Sequence, residues 1–295
     1  MASVRLSPAL KALIAAPHAQ GNAVPAPSLA STTKLFEGLR SSALQNGLGE
    51  ATWLTLGSAA LVTLNSPETL CQLYSFAASK LDGQEDKAKH SATIAAVMRE
   101  AGLKTISFSG IPRAINNLGA LQNHLEPDVA ALLSTVSTRQ PTTSNLATVQ
   151  TNATRLWESI YAPHSAKLLS KLGRSHPDLP VHILSSHYGP LLSDPPTSAS
   201  PTAPSGVHAK VGRVLTSLVA VACLRAQGGV GPQVTSHIFG LRKAGEERLE
   251  GDEALEGAEW LTSEEGAQWV LEQVDRFVEV VGRGQGATFA TRAKL

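Results

Sequence analysis

Three apolar stretches with the period of an α-helix constrain the fold more than any other feature of this sequence. They are WLTLGSAALVTL at residues 53–64, KVGRVLTSLVAVACL at 210–224 and GAQWVLEQVDRFVEVV at 266–281. In each stretch apolar residues recur three and four positions apart, which places them on one face of a helix. Segments with the alternating pattern of a strand are sparse. We therefore predict an all-α protein.

Composition narrows the classes of partner. The chain has 295 residues, of which 42% are hydrophobic, and this is ample for a buried core. Lys and Arg number 25 against 24 Asp and Glu, and aromatic residues make up only 4%. A basic surface and base-stacking rings are therefore not indicated, and we expect no nucleic-acid partner. The apolar runs are shorter than the roughly 20 residues that cross a bilayer, so we expect no membrane span.

Stretches rich in Ser, Thr, Pro and Gly divide the chain into two helical halves. Such composition buries little apolar surface and is typical of loops and linkers. We predict an N-terminal extension (1–34), a first helical repeat (35–133), a linker (134–153), a second helical repeat (154–281) with a mobile loop (193–206), and a flexible tail (282–295).

The two halves repeat one order of elements. Residues 53–85 contain an apolar helix, a break at Asn65-Ser66-Pro67 and a second helix. Residues 212–247 contain an apolar helix, a break at Gly228-Gly229 and a second helix. The matching order predicts a duplicated helical hairpin, in which residues 53–83 and 212–245 are equivalent.

The last three residues, Ala293, Lys294 and Leu295, resemble the small-basic-leucine address that directs proteins to peroxisomes. They predict binding to the peroxisomal import receptor and a location in the peroxisomal matrix. The alternative is a mitochondrion, because the first acidic residue is Glu37 and SPALKALIAA reads as a short helix. Mitochondrial presequences are rich in arginine, however, and Arg5 is the only arginine before Glu37.

Several stretches resemble the carboxymuconolactone decarboxylase and alkylhydroperoxidase D-like family. They are LVAVACLRAQGGVGPQVTSHIFGLRKAGEE, MREAGLKTISFSGIPRAINNLGAL and LWESIYAPHSAKLLSKLGRSHPDLPVHILSSHYGPLLSDP, at residues 218–247, 98–121 and 156–195. The first is similar to the central helical hairpin of that fold, in which the second helix carries a histidine. The resemblance spans residues 35–281 and, with the C-terminal tripeptide, implies tandem alkylhydroperoxidase D-like repeats in a fungal-type peroxisomal member.

The peroxidase branch of this family uses the pattern Cys-x-x-Cys-x-x-x-His, in which a thiolate attacks a peroxide. If His237 is that histidine, the cysteines should stand at positions 230 and 233, which are Val230 and Gln233. In the first half Cys71 has no second cysteine beside it, and the next histidine is His90. Two-cysteine peroxidase activity is therefore not supported.

The decarboxylase branch needs no cysteine, metal or organic cofactor. The resemblance implies acid–base chemistry by a histidine with an arginine that stabilises developing negative charge. We expect His237 and Arg213 as catalytic residues, and Tyr188 and Cys71 as substrate-binding residues. The glutamate that usually follows the arginine is replaced by Val214, which departs from the decarboxylase pattern.

Three further histidines, His176, His182 and His187, lie within a dozen residues, but their spacing matches no metal site. We expect no metal and no cofactor. Two functions remain open. One is a peroxisomal small-molecule enzyme that uses His237, and the other is a non-catalytic binding or structural member of the same fold. In either case we expect a homo-oligomer, as a trimer or hexamer, because single-repeat members build their sites between subunits.

Overall fold

The computed structural model describes residues 5–16, 21–81, 86–194, 206–246 and 254–284. These residues form helices without any strand, apart from one isolated parallel bridge between Leu133 and Val207. The predicted all-α class is confirmed. In chain order the helices are α1 (Pro8–Ile14), α2 (Leu29–Gln45), α3 (Glu50–Leu64), α4 (Pro67–Ser79), α5 (Lys87–Lys104), α6 (Ile106–Ser109), α7 (Ile111–His124), α8 (Pro127–Leu132), α9 (Leu146–Tyr161), α10 (Ser165–Ser175), α11 (Asp178–His182), a π-helix (Ile183–Leu192), α12 (Arg213–Gln227), α13 (Gly231–Lys243), α14 (Ala258–Leu261) and α15 (Glu264–Val280).

Two helices, α3 and α12, form the centre of the molecule and pack against each other. Both are buried on nearly every face, which explains why their sequences are apolar all round rather than along one stripe. Helices α4, α5 and α15 surround α3, and α13 and α15 cover α12. A glycine in α3 permits close packing, because a Cβ at Gly57 would lie 2.9 Å from a methyl group of Leu73.

The central helices each begin a hairpin, and the two hairpins have equal helix lengths. Helices α3 and α4 contain 15 and 13 residues, and α12 and α13 also contain 15 and 13. A proline stands in the first turn of each second helix, Pro67 in α4 and Pro232 in α13. Proline is tolerated there because backbone N–H groups of the first turn have no intrahelical acceptor, so its lack of an N–H breaks no hydrogen bond. The breaks use left-handed residues, Asn65 in the first hairpin and Gly228 and Gly229 in the second.

A smaller apolar cluster lies between α9 and the π-helix, which pack on each other. Helix α9 also packs against α13. The π-helix contains Pro190. Proline has no backbone N–H, so a carbonyl of the preceding turn lacks its usual donor, and the wider turn of a π-helix accommodates this loss. This layer therefore covers the second hairpin on the side that carries His237.

A fully buried lysine joins three parts of the chain. The Lys104 ammonium at the end of α5 donates to the Asp194 carboxylate at 2.7 Å, the Val211 carbonyl at 2.6 Å and the Thr216 hydroxyl at 2.9 Å. Burial lowers the pKa of Lys104, whereas the nearby carboxylates of Asp194 and Glu100 oppose that shift. The ammonium thus ties the end of the π-helix segment to the start of α12.

The segment boundaries predicted from composition stay predictions. Residues 134–145 lack helix, and α9 begins at Leu146, within the segment 134–153. Most of the loop at 193–206, and the tail from residue 285 onwards with Ala293, Lys294 and Leu295, lie outside the described residues. Within the described part of the chain, no helix is both long and apolar enough to span a bilayer.

Candidate functional site

His237 lies in the middle of α13, on the helix face that also carries Gly240 and Leu241. Its side chain is 7% exposed and is directed toward α9. Gly240 stands one turn further along α13 and lets α9 approach, because a Cβ there would lie 2.8 Å from a methyl group of Ile160. The glycine therefore sets how closely α9 covers the histidine.

Two tyrosines continue from His237 in a hydrogen-bonded chain. The Tyr161 hydroxyl at the end of α9 lies 3.2 Å from His237 Nε2 and 3.0 Å from the Tyr188 hydroxyl. The π-helix places Tyr188 on its buried side, and the Trp157 ring lies 4.2 Å from the Tyr161 ring and 5.0 Å from the Tyr188 ring. Phe108 meets the imidazole edge to face at 5.5 Å. The chain of polar atoms thus runs through an aromatic layer.

The His237 imidazole and the hydroxyl groups of Tyr161 and Tyr188 are all uncharged at pH 7. Burial, together with the positive charge of Arg213, lowers the pKa of His237 to about 4. Burial raises the pKa of Tyr161, and burial together with the neighbouring Tyr161 raises the pKa of Tyr188 well above its ordinary value. His237 is therefore a neutral imidazole that can accept a proton.

One nitrogen of His237 has no hydrogen-bond partner among the residues that the structure describes. Nε2 faces Tyr161, whereas Nδ1 is buried without a donor or acceptor within the described residues. Leaving a buried polar atom unpaired costs about 1–3 kcal/mol, and such atoms are rare outside sites with a function or a bound water. Within the described residues of the second hairpin, His237 is the buried polar side chain that has an unpaired atom.

Arg213 lies in the first turn of α12, is 3% exposed and connects three helices. Its guanidinium donates to the Ser159 hydroxyl at 2.7 Å, the Ser159 carbonyl at 3.1 Å and the Gly240 carbonyl at 2.8 Å, and it also donates to Ser217. The structure thus brings Arg213 to the His237 site, where its charge acts on the imidazole while its donors hold α9 against α13.

Cys71 lies elsewhere. It is on α4, where it lines a cleft together with residues of α2 and α7, and it is not part of the layer around His237. Burial and the charge of Glu68 raise the pKa of the Cys71 thiol to about 11, and burial raises that of Cys223 to about 12. Both thiols are protonated at neutral pH and are poor nucleophiles. Of the four site residues expected from the sequence, the structure groups His237, Arg213 and Tyr188.

The histidines near residue 180 pair with serines. The rings of His182 and His187 lie 5.2 Å apart, His182 Nδ1 is 2.9 Å from the Ser186 hydroxyl, and His187 Nδ1 is 2.9 Å from the Ser107 hydroxyl. Burial and the neighbouring His182 lower the pKa of His187. Among the residues that the structure describes, no group of three or more His, Cys, Asp or Glu side chains is placed to hold a metal ion.

Tyr161 and Ser159 are the site residues that sequence reasoning missed. The available signal was Trp157 followed four positions later by Tyr161, an aromatic pair that shares one face of a helix. That pattern identifies a packed face but not its partner.

Comparison with curated proteins gives a significant match to a yeast protein. The chain is 32% identical over 198 residues, 60% of its length, to the protein named Peroxisomal protein 2 of Saccharomyces cerevisiae. The aligned region spans 64% of that relative's length. No family model matches the chain, and no solved structure matches it significantly.

Proposed function

We propose that this protein is a peroxisomal member of the carboxymuconolactone decarboxylase and alkylhydroperoxidase D-like family, with a cofactor-independent acid–base site at His237. The name of the yeast relative supports the peroxisomal location that the sequence predicts. The equal helix lengths of the two hairpins, each with a proline in the first turn of its second helix, support a tandem repeat. The single observation that carries the chemistry is the buried, neutral imidazole whose Nδ1 has no partner within the described part of the chain.

The hydrogen-bond order around His237 fits a general base. In the tautomer that suits this role, Nε2–H donates to the Tyr161 oxygen, and Tyr161 donates to Tyr188. Nδ1 then keeps its lone pair. Because Nδ1 is buried, the proposal requires the covering layer of α9 and the π-helix to open before this nitrogen accepts a proton from a substrate carbon beside a carbonyl group. The tyrosine orients the imidazole, as the third member of a catalytic triad does. A small carbonyl-containing molecule, such as a lactone, is the substrate class that suits this chemistry.

Protonation of His237 would place a positive charge beside Arg213, which disfavours the imidazolium and makes it a ready proton donor. The base that takes a proton from one carbon thus returns it readily to another atom of the same molecule. Developing negative charge on the substrate is stabilised by the buried guanidinium, because opposite charges attract strongly where water is excluded.

The test is proton exchange measured on carboxymuconolactone in deuterated buffer. The wild-type protein should incorporate deuterium or release carbon dioxide, and His237→Gln should lower the rate about 100- to 10,000-fold. Tyr161→Phe keeps the aromatic ring but removes the orienting hydroxyl, and it should lower the rate less. Cys71→Ser is the matched control and should leave the rate unchanged.

A rate that depends on Cys71 would overturn the proposed chemistry. If no turnover is found and His237→Gln lowers only the melting temperature, the histidine is structural. That second function, a non-catalytic binding or structural member, is favoured by one observation: Arg213 uses its donors on Ser159, Ser217 and Gly240 of the protein itself.

The peroxisomal address is proposed to be Ala293, Lys294 and Leu295, read by the import receptor. A fluorescent protein fused to the N-terminus should give puncta that coincide with a peroxisomal marker and become diffuse when Leu295 is deleted. Thr291→Ala is the control that should keep the puncta. Mitochondrial staining, or puncta that survive the deletion, would refute the assignment.

A homo-oligomer is proposed on exposed apolar side chains. Phe239 on α13 is 64% exposed, and Ile111 and Ile115 on α7 are 58% and 65% exposed. Large apolar side chains in water favour association with another surface. Light scattering should give the mass of a trimer or hexamer at micromolar concentration, and a monomer there would contradict the proposal.

A further inference from the structure

Helix α10 presents a row of positive charges to solvent. Lys167, Lys171 and Arg174 stand four and three positions apart, so they share one face of the helix, and all three are exposed. The opposite face packs against the apolar cluster between α9 and the π-helix through three leucines, Leu168, Leu169 and Leu172. Helix α10 therefore lies on that layer with this cationic row on its outer side.

The cationic row has no counter-charge of its own. Within the described part of the chain, none of its three side chains forms an ion pair or a hydrogen bond. The sequence has no acidic residue from 159 to 177. Of the two flanking carboxylates, Glu158 accepts a hydrogen bond from Ser165, and Asp178 lies 3.9 Å from Nδ1 of His176. A surface with unbalanced positive charge attracts anionic partners.

Exposed aliphatic side chains adjoin the cationic row. In α11, Leu179 is 36% exposed and Val181 is 59% exposed. Pro180, between them, lies beside the last turns of α10, because a Cβ at Gly173 would be 3.8 Å from the Pro180 ring. Cations next to exposed aliphatic side chains are typical of protein surfaces that bind a membrane interface, where the cations meet anionic headgroups and the apolar groups reach the acyl boundary.

We propose that the outer face of α10, together with Leu179 and Val181, docks on an anionic lipid membrane. Lys167 and Arg174 are separated by about 10 Å along the helix axis, so the row is too long for one phosphate ion and fits a surface of several headgroups. The aliphatic pair favours lipid over an acidic peptide, because a peptide of carboxylates offers it no apolar environment. This docking is independent of the proposed chemistry at His237.

Vesicle co-sedimentation of the full-length protein tests the docking. Vesicles of phosphatidylcholine with about 30% phosphatidylglycerol should bind the protein about 100-fold more tightly than pure phosphatidylcholine, because each cation at an anionic membrane contributes about fivefold. Combined Lys167→Gln, Lys171→Gln and Arg174→Gln should remove that preference. Val181→Asp, at an exposed position, should weaken binding to the anionic vesicles about 10-fold, and it tests the docking even if the triple variant fails to fold.

The matched control removes the same charge elsewhere. Lys34→Gln, Lys89→Gln and Arg276→Gln, at exposed positions of α2, α5 and α15, should leave binding within about 3-fold of the wild type. Equal binding to both vesicles, unchanged binding in the α10 triple variant or in Val181→Asp, or an equal loss in the control would each overturn the proposal. Tighter binding of poly-glutamate than of anionic vesicles, in isothermal titration, would assign the face to an acidic protein instead. Displacement of the vesicles by inorganic phosphate, beyond the effect of sodium chloride at equal ionic strength, would assign it to a free anion.

Discussion

Acid should destabilise this protein through His237, and the size of the effect follows from its burial. The pKa of His237 is lowered from 6.5 to about 4 in the folded state. The unfolded chain therefore binds a proton first as the pH falls, and protons favour unfolding below pH 6.5. Above pH 6.5 His237 therefore has no effect on how the free energy of unfolding changes with pH. Between pH 6.5 and pH 4 the free energy of unfolding falls progressively. Linkage gives a loss of about 2 kcal/mol at pH 5 and about 3 kcal/mol at pH 4.

The assay is urea unfolding at pH 8 and pH 5, followed by circular dichroism at constant salt, on the wild type and on His237→Gln. His187 also has a lowered pKa, so it contributes a loss of the same sign to both proteins. The difference between the two proteins isolates His237. The wild type should lose about 2 kcal/mol more than the variant between the two pH values. His208→Gln, at an exposed histidine, should behave as the wild type does. Equal losses in wild type and His237→Gln would refute the reasoning, because they would mean that the imidazole is hydrated or paired.

Three further expectations concern packing, the buried lysine and the thiols. Gly240→Ala should lower the free energy of unfolding by about 1–3 kcal/mol, because the new Cβ meets α9 at 2.8 Å. Gly119→Ala, where a Cβ meets nothing within 4 Å, should instead raise it by about 0.5–1 kcal/mol in the same denaturation assay. Lys104→Met should lower it by about 3 kcal/mol, because it leaves the Asp194 carboxylate without its buried partner, and a loss no larger than at an exposed lysine would contradict this. Iodoacetamide should label Cys71 and Cys223 slowly at pH 7 and faster as the pH rises, since burial raises both pKa values; rapid labelling at pH 7 would contradict that account.

The helices could be predicted from the sequence because their signals are local. The apolar stretches at 53–64, 210–224 and 266–281 overlap α3, α12 and α15, because apolar residues repeated three and four positions apart favour a helix whatever it packs against. The break residues before α4 and α13 are also local, because proline and glycine act on their own backbone.

The site could be predicted only in part, because its contacts join distant segments. Tyr161 is 76 residues from His237 along the chain, and their hydrogen bond depends on how closely α9 approaches α13. The sequence pointed to Tyr188 but not to the π-helix that turns it inward, because π turns arise from packing rather than from residue propensity. Cys71 was expected near His237 from the resemblance alone, and the structure places it on α4 in the first hairpin.

The two hairpins are covered by different elements of the chain. On the proposed repeat, His237 and Gln72 occupy related steps of α13 and α4. Helix α9 and the π-helix close over His237 with aromatic rings, which removes water and lowers the imidazole pKa. Helices α2 and α7 flank Gln72 but leave a cleft of about 850 Å³ beside it. A desolvated imidazole is neutral and can exchange a proton, whereas the Gln72 amide has no charge to titrate. The residue at this step and the layer that covers it therefore together decide which of the two positions can carry acid–base chemistry.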